Sequence, residues 1–275
     1  MTTRLAGVMG WPITHSLSPR LHGYWLRKYG IDGAYVPLSV APDNLGAALC
    51  GLSALGFSGC NVTAPHKEAV IPYLKNLTAR ARRIGAVNTI WCSEDGLQGD
   101  CIDGEGFMAD LSAQFPEWTQ YKDDVVVLGA GGAACAVLAA LHDEGCSNLT
   151  ILNRSPDRAT AVCQFLGIEA KIAGLESASV RGAGLVINTT SLGMKGHPLL
   201  ALECGGMQKN GLVYDLVYNP AETAFLHPAR QQGLKTANGL GMLLHQAVPG
   251  FERWFGQRPV VDDELWAYMK AALPC

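Results

Sequence analysis

Short apolar blocks separated by turn residues recur along the chain, and their lengths and order predict strands and helices in alternation. Leu5-Ala6-Gly7-Val8-Met9-Gly10 predicts a short strand, closed by Gly10-Trp11-Pro12. Ser18-Pro19 then starts a helix that runs to about Tyr29. Proline in the first turn is favourable there, and the serine just before it can cap exposed amides. Ala34-Tyr35-Val36-Pro37-Leu38 predicts a second strand, and the stretch from Asn44 to Leu55 a second helix. Gly59-Cys60-Asn61-Val62-Thr63 predicts a third strand that ends in a loop at Pro65. Alternation of this kind to about residue 100 predicts one parallel α/β lobe.

A second lobe is expected from residue 124 to about 237. Val125-Val126-Val127-Leu128 suits a buried parallel strand and leads directly into Gly129-Ala130-Gly131-Gly132-Ala133-Ala134. Gly129 permits a tight turn, Gly131 lets the backbone approach a pyrophosphate, and Ala134 is small where helix packs on strand. The alanine-rich run from Ala133 to Leu141 then reads as a helix with its N-terminus toward the phosphates. Leu149-Thr150-Ile151-Leu152 reads as the next strand, ending at Asn153-Arg154-Ser155. An NAD-binding chain usually carries an acidic residue there for the ribose diol. Here Arg154, with Arg158 four residues on, supplies guanidinium forks suited to a 2′-phosphate, unless they are solvated surface cations. The expected cofactor is NADP. Later strands are predicted at Leu185-Val186-Ile187-Asn188 and Leu212-Val213-Tyr214-Asp215-Leu216, and a helix after Gly239 carries Met242, Leu243, Ala247 and Val248. A helix near Phe107–Leu111 links the lobes, and the helix after Gly239 is expected to return to the first lobe.

The 275 residues suit two domains at roughly 150 residues each. A net charge of −3 gives no field favouring nucleic acid or an anionic membrane. No apolar run approaches the ~18 residues of a membrane span, and Met1-Thr2-Thr3-Arg4 opens no secretory signal pattern. The nine cysteines contain no Cys-x-x-Cys pair and no histidine at zinc spacing. Cys50, Cys60, Cys92, Cys101, Cys135, Cys146, Cys163, Cys204 and Cys275 therefore read as reduced thiols of a cytoplasmic protein without a metal.

The first lobe offers the candidate chemistry. Ser16 and Ser18, in His15-Ser16-Leu17-Ser18-Pro19, could both donate to a carboxylate, or Ser18 could simply cap the helix. Asn61 and Thr63 alternate on one strand and so share a face. Lys67 follows on the adjoining loop, either solvated or paired within a site. Asn88, in Gly85-Ala86-Val87-Asn88-Thr89, adds an amide. Asp103, in Gly99-Asp100-Cys101-Ile102-Asp103-Gly104, is either a further site group or the N-cap of a helix beginning near Gly106. Together these residues suit a small polyhydroxylated anion, with the substrate expected between the lobes. His15, His66 and His245 read as local structural or surface residues.

These segments resemble the shikimate dehydrogenase family over nearly the whole chain. They are Gly10-Trp11-Pro12 with Ser16-Leu17-Ser18-Pro19, Asn61-Val62-Thr63-Ala64-Pro65-His66-Lys67, Gly85 to Thr89, Gly129 to Ala134 and Asn153-Arg154. Asn188-Thr189-Thr190-Ser191-Leu192-Gly193-Met194, Tyr214-Asp215-Leu216-Val217-Tyr218-Asn219-Pro220 and Gly239-Leu240-Gly241-Met242 before Gln246 complete the set. The resemblance implies reversible NADPH-dependent reduction of 3-dehydroshikimate to shikimate, in aromatic amino-acid biosynthesis, by a monomer or homodimer. It implies a substrate-binding domain at 1–105, joined by returning helices at 238–275, and a Rossmann-type NADP-binding domain at 106–237. Ser16, Ser18 and Thr63 would hold the carboxylate, and Asn61, Asn88 and Gln246 the ring hydroxyls. Lys67 and Asp103 would be the catalytic pair. Gly129, Ala130, Gly131, Gly132, Ala133, Asn153, Arg154, Ser155, Arg158, Thr190, Leu216 and Gly239 would bind the cofactor. The family usually has Asn-Thr where this chain has Cys101-Ile102, and Ile102 would replace a substrate-facing hydroxyl with hydrocarbon. Two alternatives follow: a paralogue acting on quinate or a related cyclohexane acid, and a non-catalytic NADP-binding sensor.

Overall fold

In the computed structural model, which describes residues 3–175 and 180–273, β1 (Arg4–Gly10) is buried from Ala6 onward because strands flank it on both sides. The expectations at Met1-Thr2 and at Cys275 fall outside the described residues. β2 (Gly33–Ser39) and β3 (Phe57–Val62) pair with β1 in parallel. Between them run α1 (Ser18–Lys28), which buries Leu21, His22, Trp25 and Leu26, and α2 (Leu45–Ala54), entered through a 3₁₀ turn at Pro42–Asn44. Ser18 is not the N-cap of α1. Leu17 occupies that position without a side-chain cap, and the Ser16 hydroxyl instead accepts from the Ser18 N–H at 3.3 Å. Beyond β3 the sheet turns antiparallel. After β4 (Asn76–Leu77) and α3 (Ala79–Ile84), β5 (Thr89–Ser93) and β6 (Gly96–Asp100) form a hairpin, giving the order β2-β1-β3-β5-β6-β4. Two residues between Ser93 and Gly96 leave no length for the crossover that a parallel connection needs. This half of the sheet is therefore mixed.

The second unit opens with α4 (Asp103–Gln114), three residues earlier than the sequence pattern predicts, so Asp103 is a helical residue and not a cap ahead of the helix. Its sheet is wholly parallel. β7 (Val125–Leu128), α5 (Gly132–Asp143), β8 (Leu149–Leu152), α6 (Pro156–Leu166) and β9 (Ala170–Ala173) form one half. β10 (Leu185–Asn188), β11 (Leu212–Asp215), α7 (Leu226–Gln231) and β12 (Lys235–Asn238) form the other. Every residue of β7, β10 and β11 is buried, as continuous apolar strands covered on both faces must be. The strand order β12-β11-β10-β7-β8-β9 reverses direction between β10 and β7. In doubly wound sheets that reversal opens the crevice where ligands bind, at the carboxyl ends of the strands.

α8 (Leu240–Phe255) and α9 (Asp263–Lys270) end the chain's helices among the described residues. By internal packing one unit comprises Met1–Ile102 with Leu244–Lys270, and the other Asp103–Leu243 with Ala271–Cys275. The first unit thus completes its core with late sequence. Phe251 packs edge-on against Trp25, the Trp254 indole donates to the Ile90 carbonyl at 2.9 Å, and Leu265 and Met269 of α9 are fully buried.

Candidate active site

Gly10 ends β1 where a Cβ would lie 2.6 Å from Thr63 Cγ2, so only glycine lets the loops after β1 and β3 lie together. Two backbone bonds tie them: Thr63 N–H to the Met9 carbonyl at 2.9 Å and Trp11 N–H to the Ala64 carbonyl at 3.1 Å. Ser16, Ser18 and Thr63 thereby gather at one end of the sheet. β5 runs antiparallel to β3, which brings Asn88, just before it, to the same end. Asn61 Nδ2 donates to the Asn88 carbonyl at 3.1 Å and to Thr89 Oγ1 at 3.3 Å. Asn88 Oδ1 accepts from Thr89 Oγ1 and from the Ile102 N–H, each at 3.0 Å, and its Nδ2 reaches Gln246 Oε1 at 3.5 Å. Asn61, Asn88 and Gln246 are all buried. Lys67 is half-buried, and its carbonyl accepts from the Val87 N–H at 2.8 Å, which joins its loop to the Asn88 segment.

Asp103 belongs to the second unit, one peptide bond beyond Ile102, and is buried. Ile102 is 1% exposed. Its side chain is packed in the core, and what the position contributes to its surroundings is the N–H held by Asn88. His66 is buried too, with Nε2 2.7 Å from the Val40 carbonyl, a structural histidine.

In the second unit the reversal point is built from glycine. Gly129 has φ +111°, and a Cβ there would meet Thr189 Oγ1 at 2.6 Å, so the turns after β7 and β10 touch. Gly131 is the N-cap of α5 with no side-chain cap, and nothing lies within 4 Å of where its Cβ would be. The helix therefore presents its first amides over open space, as a pyrophosphate cradle requires. Ala130, Gly132 and Ala133 complete that turn. At the end of β8, Asn153 Nδ2 donates to the Ser155 carbonyl at 2.8 Å, and Arg154 projects into solvent. Arg158 Nε donates to the Ala130 carbonyl at 2.9 Å, so this arginine also braces the glycine turn. Thr190 is held by Asn188 Oδ1, which accepts from both its N–H (3.0 Å) and its hydroxyl (2.7 Å). Gly239 approaches Leu216 so closely that a Cβ would sit 1.9 Å from the Leu216 carbonyl oxygen. These residues fit a dinucleotide carrying a 2′-phosphate.

Three polar residues in these units are not singled out by the sequence pattern. Asp215 accepts from Asn188 Nδ2 (2.8 Å), the Val217 N–H (3.0 Å) and Thr223 Oγ1 (2.7 Å). Burial raises its carboxyl to about 6, against those donors. Asp110 on α4 accepts from the Tyr214 hydroxyl at 2.5 Å, and a Cβ on Gly241 would lie 1.8 Å from its Oδ1. Tyr35 donates to Asn61 Oδ1 at 2.6 Å. Each signal is a polar atom inside an apolar run, which periodicity reads as core.

Strand reversal, glycine turn and a cationic residue after the second strand define the second unit as a nicotinamide-dinucleotide-binding domain of the oxidoreductase type. Residues 8–90 match the shikimate dehydrogenase substrate binding domain, 111–193 the shikimate / quinate 5-dehydrogenase family and 239–262 the shikimate 5′-dehydrogenase C-terminal domain. The chain belongs to the shikimate dehydrogenase family. It is 54% identical to the shikimate dehydrogenase (NADP⁺) of Rhodospirillum rubrum over 96% of both chains. It is 48% identical to that of Paramagnetospirillum magneticum, over 97% of this chain and 98% of the other. The shikimate 5-dehydrogenase of Thermus thermophilus, solved with NADP(H) and shikimate, superposes with a TM-score of 0.86 at 35% identity, covering 99% and 100% of the two chains.

Proposed function

We propose that this protein is an NADP-dependent shikimate dehydrogenase that interconverts 3-dehydroshikimate and shikimate in aromatic amino-acid biosynthesis. The observation that carries the reading is the buried cluster of Asn61, Asn88 and Gln246 beside the Ser16, Ser18 and Thr63 hydroxyls. Neutral amides and hydroxyls of this number suit a carboxylate and several ring hydroxyls without burying an opposing charge. Met1–Ile102 with Leu244–Lys270 acts as the substrate domain and Asp103–Leu243 as the NADP domain. Among the described residues no helix is long and apolar enough to cross a membrane, and the eight described cysteines are free thiols. The protein's action is proposed to be cytoplasmic, as a monomer or homodimer.

When bound, the nicotinamide cofactor would supply hydride for the reduction and take it up in the oxidation. Hydride arriving at a ketone carbon leaves negative charge on the oxygen. Lys67 holds an ammonium proton for that oxygen, gives it up as the alcohol forms and takes it back in oxidation. Asp103 is the second member of the catalytic pair and accepts from a substrate hydroxyl. Ser16, Ser18 and Thr63 fix the carboxylate, so the ring presents one face and one carbon to the reaction. Arg154 engages the 2′-phosphate, and the amides at the start of α5 engage the pyrophosphate.

The alternative is a preference for quinate, raised by the Cys101-Ile102 departure in the sequence and drawing nothing from the core-packed Ile102 side chain. The deciding experiment is initial-rate spectrophotometry with shikimate and quinate, each with NADP and NAD. Fast NADP reduction with shikimate is the expected result. A higher specificity constant for quinate selects the paralogue, and NADPH binding without turnover of either acid selects the sensor.

A further inference from the structure

Tyr35 lies on β2 and Asn61 on β3, with β1 between them, so their backbones stand two strand spacings apart, roughly 10 Å. Ala6 is level with Tyr35, and Val8, two residues on, with Asn61. The two side chains therefore share one face of the sheet. Only a long side chain spans that separation, and the Tyr35 hydroxyl reaches Asn61 Oδ1 at 2.6 Å. One hydroxyl thus ties β2 across β1 to the end of β3.

The ring carrying that hydroxyl is itself held. The His22 imidazole stacks on it at 3.9 Å between centroids, with the planes 1° apart, and Trp254 packs at 6.0 Å. His22 is completely buried, which lowers its pKa to about 3, so the stack stays neutral across the physiological range. Asn61 has little freedom left: Nδ2 serves the Asn88 carbonyl and Thr89, and Oδ1 accepts from Tyr35. The phenol fixes which end of the amide is carbonyl, and hence what remains to meet a ligand.

We infer that Tyr35 is a positioning residue for substrate binding, its hydroxyl fixing the asparagine that holds a ring hydroxyl. The inference rests on the proposed role of Asn61. It predicts a selective defect. Tyr35→Phe keeps the ring and its stack and removes only the hydroxyl. Loss of one neutral hydrogen bond corresponds to roughly a 2- to 10-fold rise in KM for shikimate. KM for NADP should stay within about twofold and kcat within about threefold, a split that general loosening of the fold would not produce.

The experiment measures steady-state kinetics for Tyr35→Phe, Ser18→Ala, Asn61→Ala and the Tyr35→Phe/Asn61→Ala double variant, each checked by thermal unfolding. The expected result is a raised shikimate KM in all four, with the double variant less impaired than the product of its singles, because the two residues share one bond. A normal KM in Tyr35→Phe, alongside defects in Ser18→Ala and Asn61→Ala, overturns the positioning role alone. So does strict multiplicativity in the double variant. If Ser18→Ala and Asn61→Ala also leave shikimate KM unchanged, the site reading falls and the positioning role with it. Equal rises in KM for shikimate and NADP in Tyr35→Phe would overturn the inference in favour of a purely structural tyrosine.

Discussion

Asp215→Asn should make the protein more stable at alkaline pH and less stable at acid pH. In the native state burial raises the Asp215 carboxyl from 3.8 to about 6, while Thr223, Val217 and Asn188 pull it back. The folded protein therefore holds this proton more tightly than the unfolded chain does. The stabilising contribution is whole below pH 3.8 and disappears as pH rises through about 6. At about 1.36 kcal/mol per unit the whole span is worth about 3 kcal/mol, and about 2 kcal/mol of it falls between pH 4.5 and 8. Asparagine is nearly isosteric here. Its Oδ1 can keep Asn188 and Val217, both of which bond to Asp215 Oδ1, while its Nδ2 faces Thr223 Oγ1, which already accepts from the Leu226 N–H at 3.2 Å. The exchange at Thr223 costs about 1 kcal/mol at every pH. Denaturant unfolding of wild type and variant at several pH values isolates the effect, since every other titrating group cancels in the difference. The variant should trail the wild type slightly near pH 4.5 and lead it by about 1–2 kcal/mol near pH 8. A difference constant within about 0.5 kcal/mol across that range would refute the buried-proton argument.

Lys67→Ala and Asp103→Asn should each lower turnover at least about 100-fold with folding intact, and near-normal turnover in either removes that residue from its role. Arg154→Ala should raise KM for NADP roughly 10- to 100-fold and leave the weaker use of NAD nearly unchanged, whereas equal effects on both cofactors would defeat the phosphate assignment. Gly241→Ala places a methyl where Asp110 stands, 1.8 Å from Oδ1. It should destabilise by about 1–3 kcal/mol in thermal unfolding, and an unchanged melting temperature would show that α4 and the start of α8 can part without loss.

The cofactor half of the fold is the more legible in sequence, because a strand buried on both faces leaves a continuous apolar run. Val125–Leu128, Leu149–Leu152 and Leu185–Asn188 have the bounds that their apolar runs predict. Ala170–Ala173 and Lys235–Asn238 carry no such signal, since both edge strands are short and bear exposed lysines. In the first unit β5 and β6 escape a parallel reading for a local reason. The hairpin depends on a two-residue turn, which alternation of strands and helices over 100 residues does not register. The candidate site is legible where function needs unusual residues in fixed order, as in Asn61-Val62-Thr63 or Gly129 to Ala134. It is not legible where a polar atom serves at a distance in sequence. Tyr35 to Asn61, Asp110 to Tyr214 and Asn88 to Gln246 are 26, 104 and 158 residues apart.

The unit that begins the chain takes part of its core from beyond the inserted segment. Its sheet is laid down by Asp100, yet Phe251 and Trp254, which close over Trp25 and Tyr35, are made only after the whole of Asp103–Leu243. During synthesis the inserted unit has all its strands as soon as β12 emerges, while the first still exposes the apolar face that α8 will cover. Domains made in linear order fold from the N-terminus onward. Here the first unit cannot bury His22, Trp25 and Tyr35 fully until the insert has been translated, because Phe251 and Trp254 come after it.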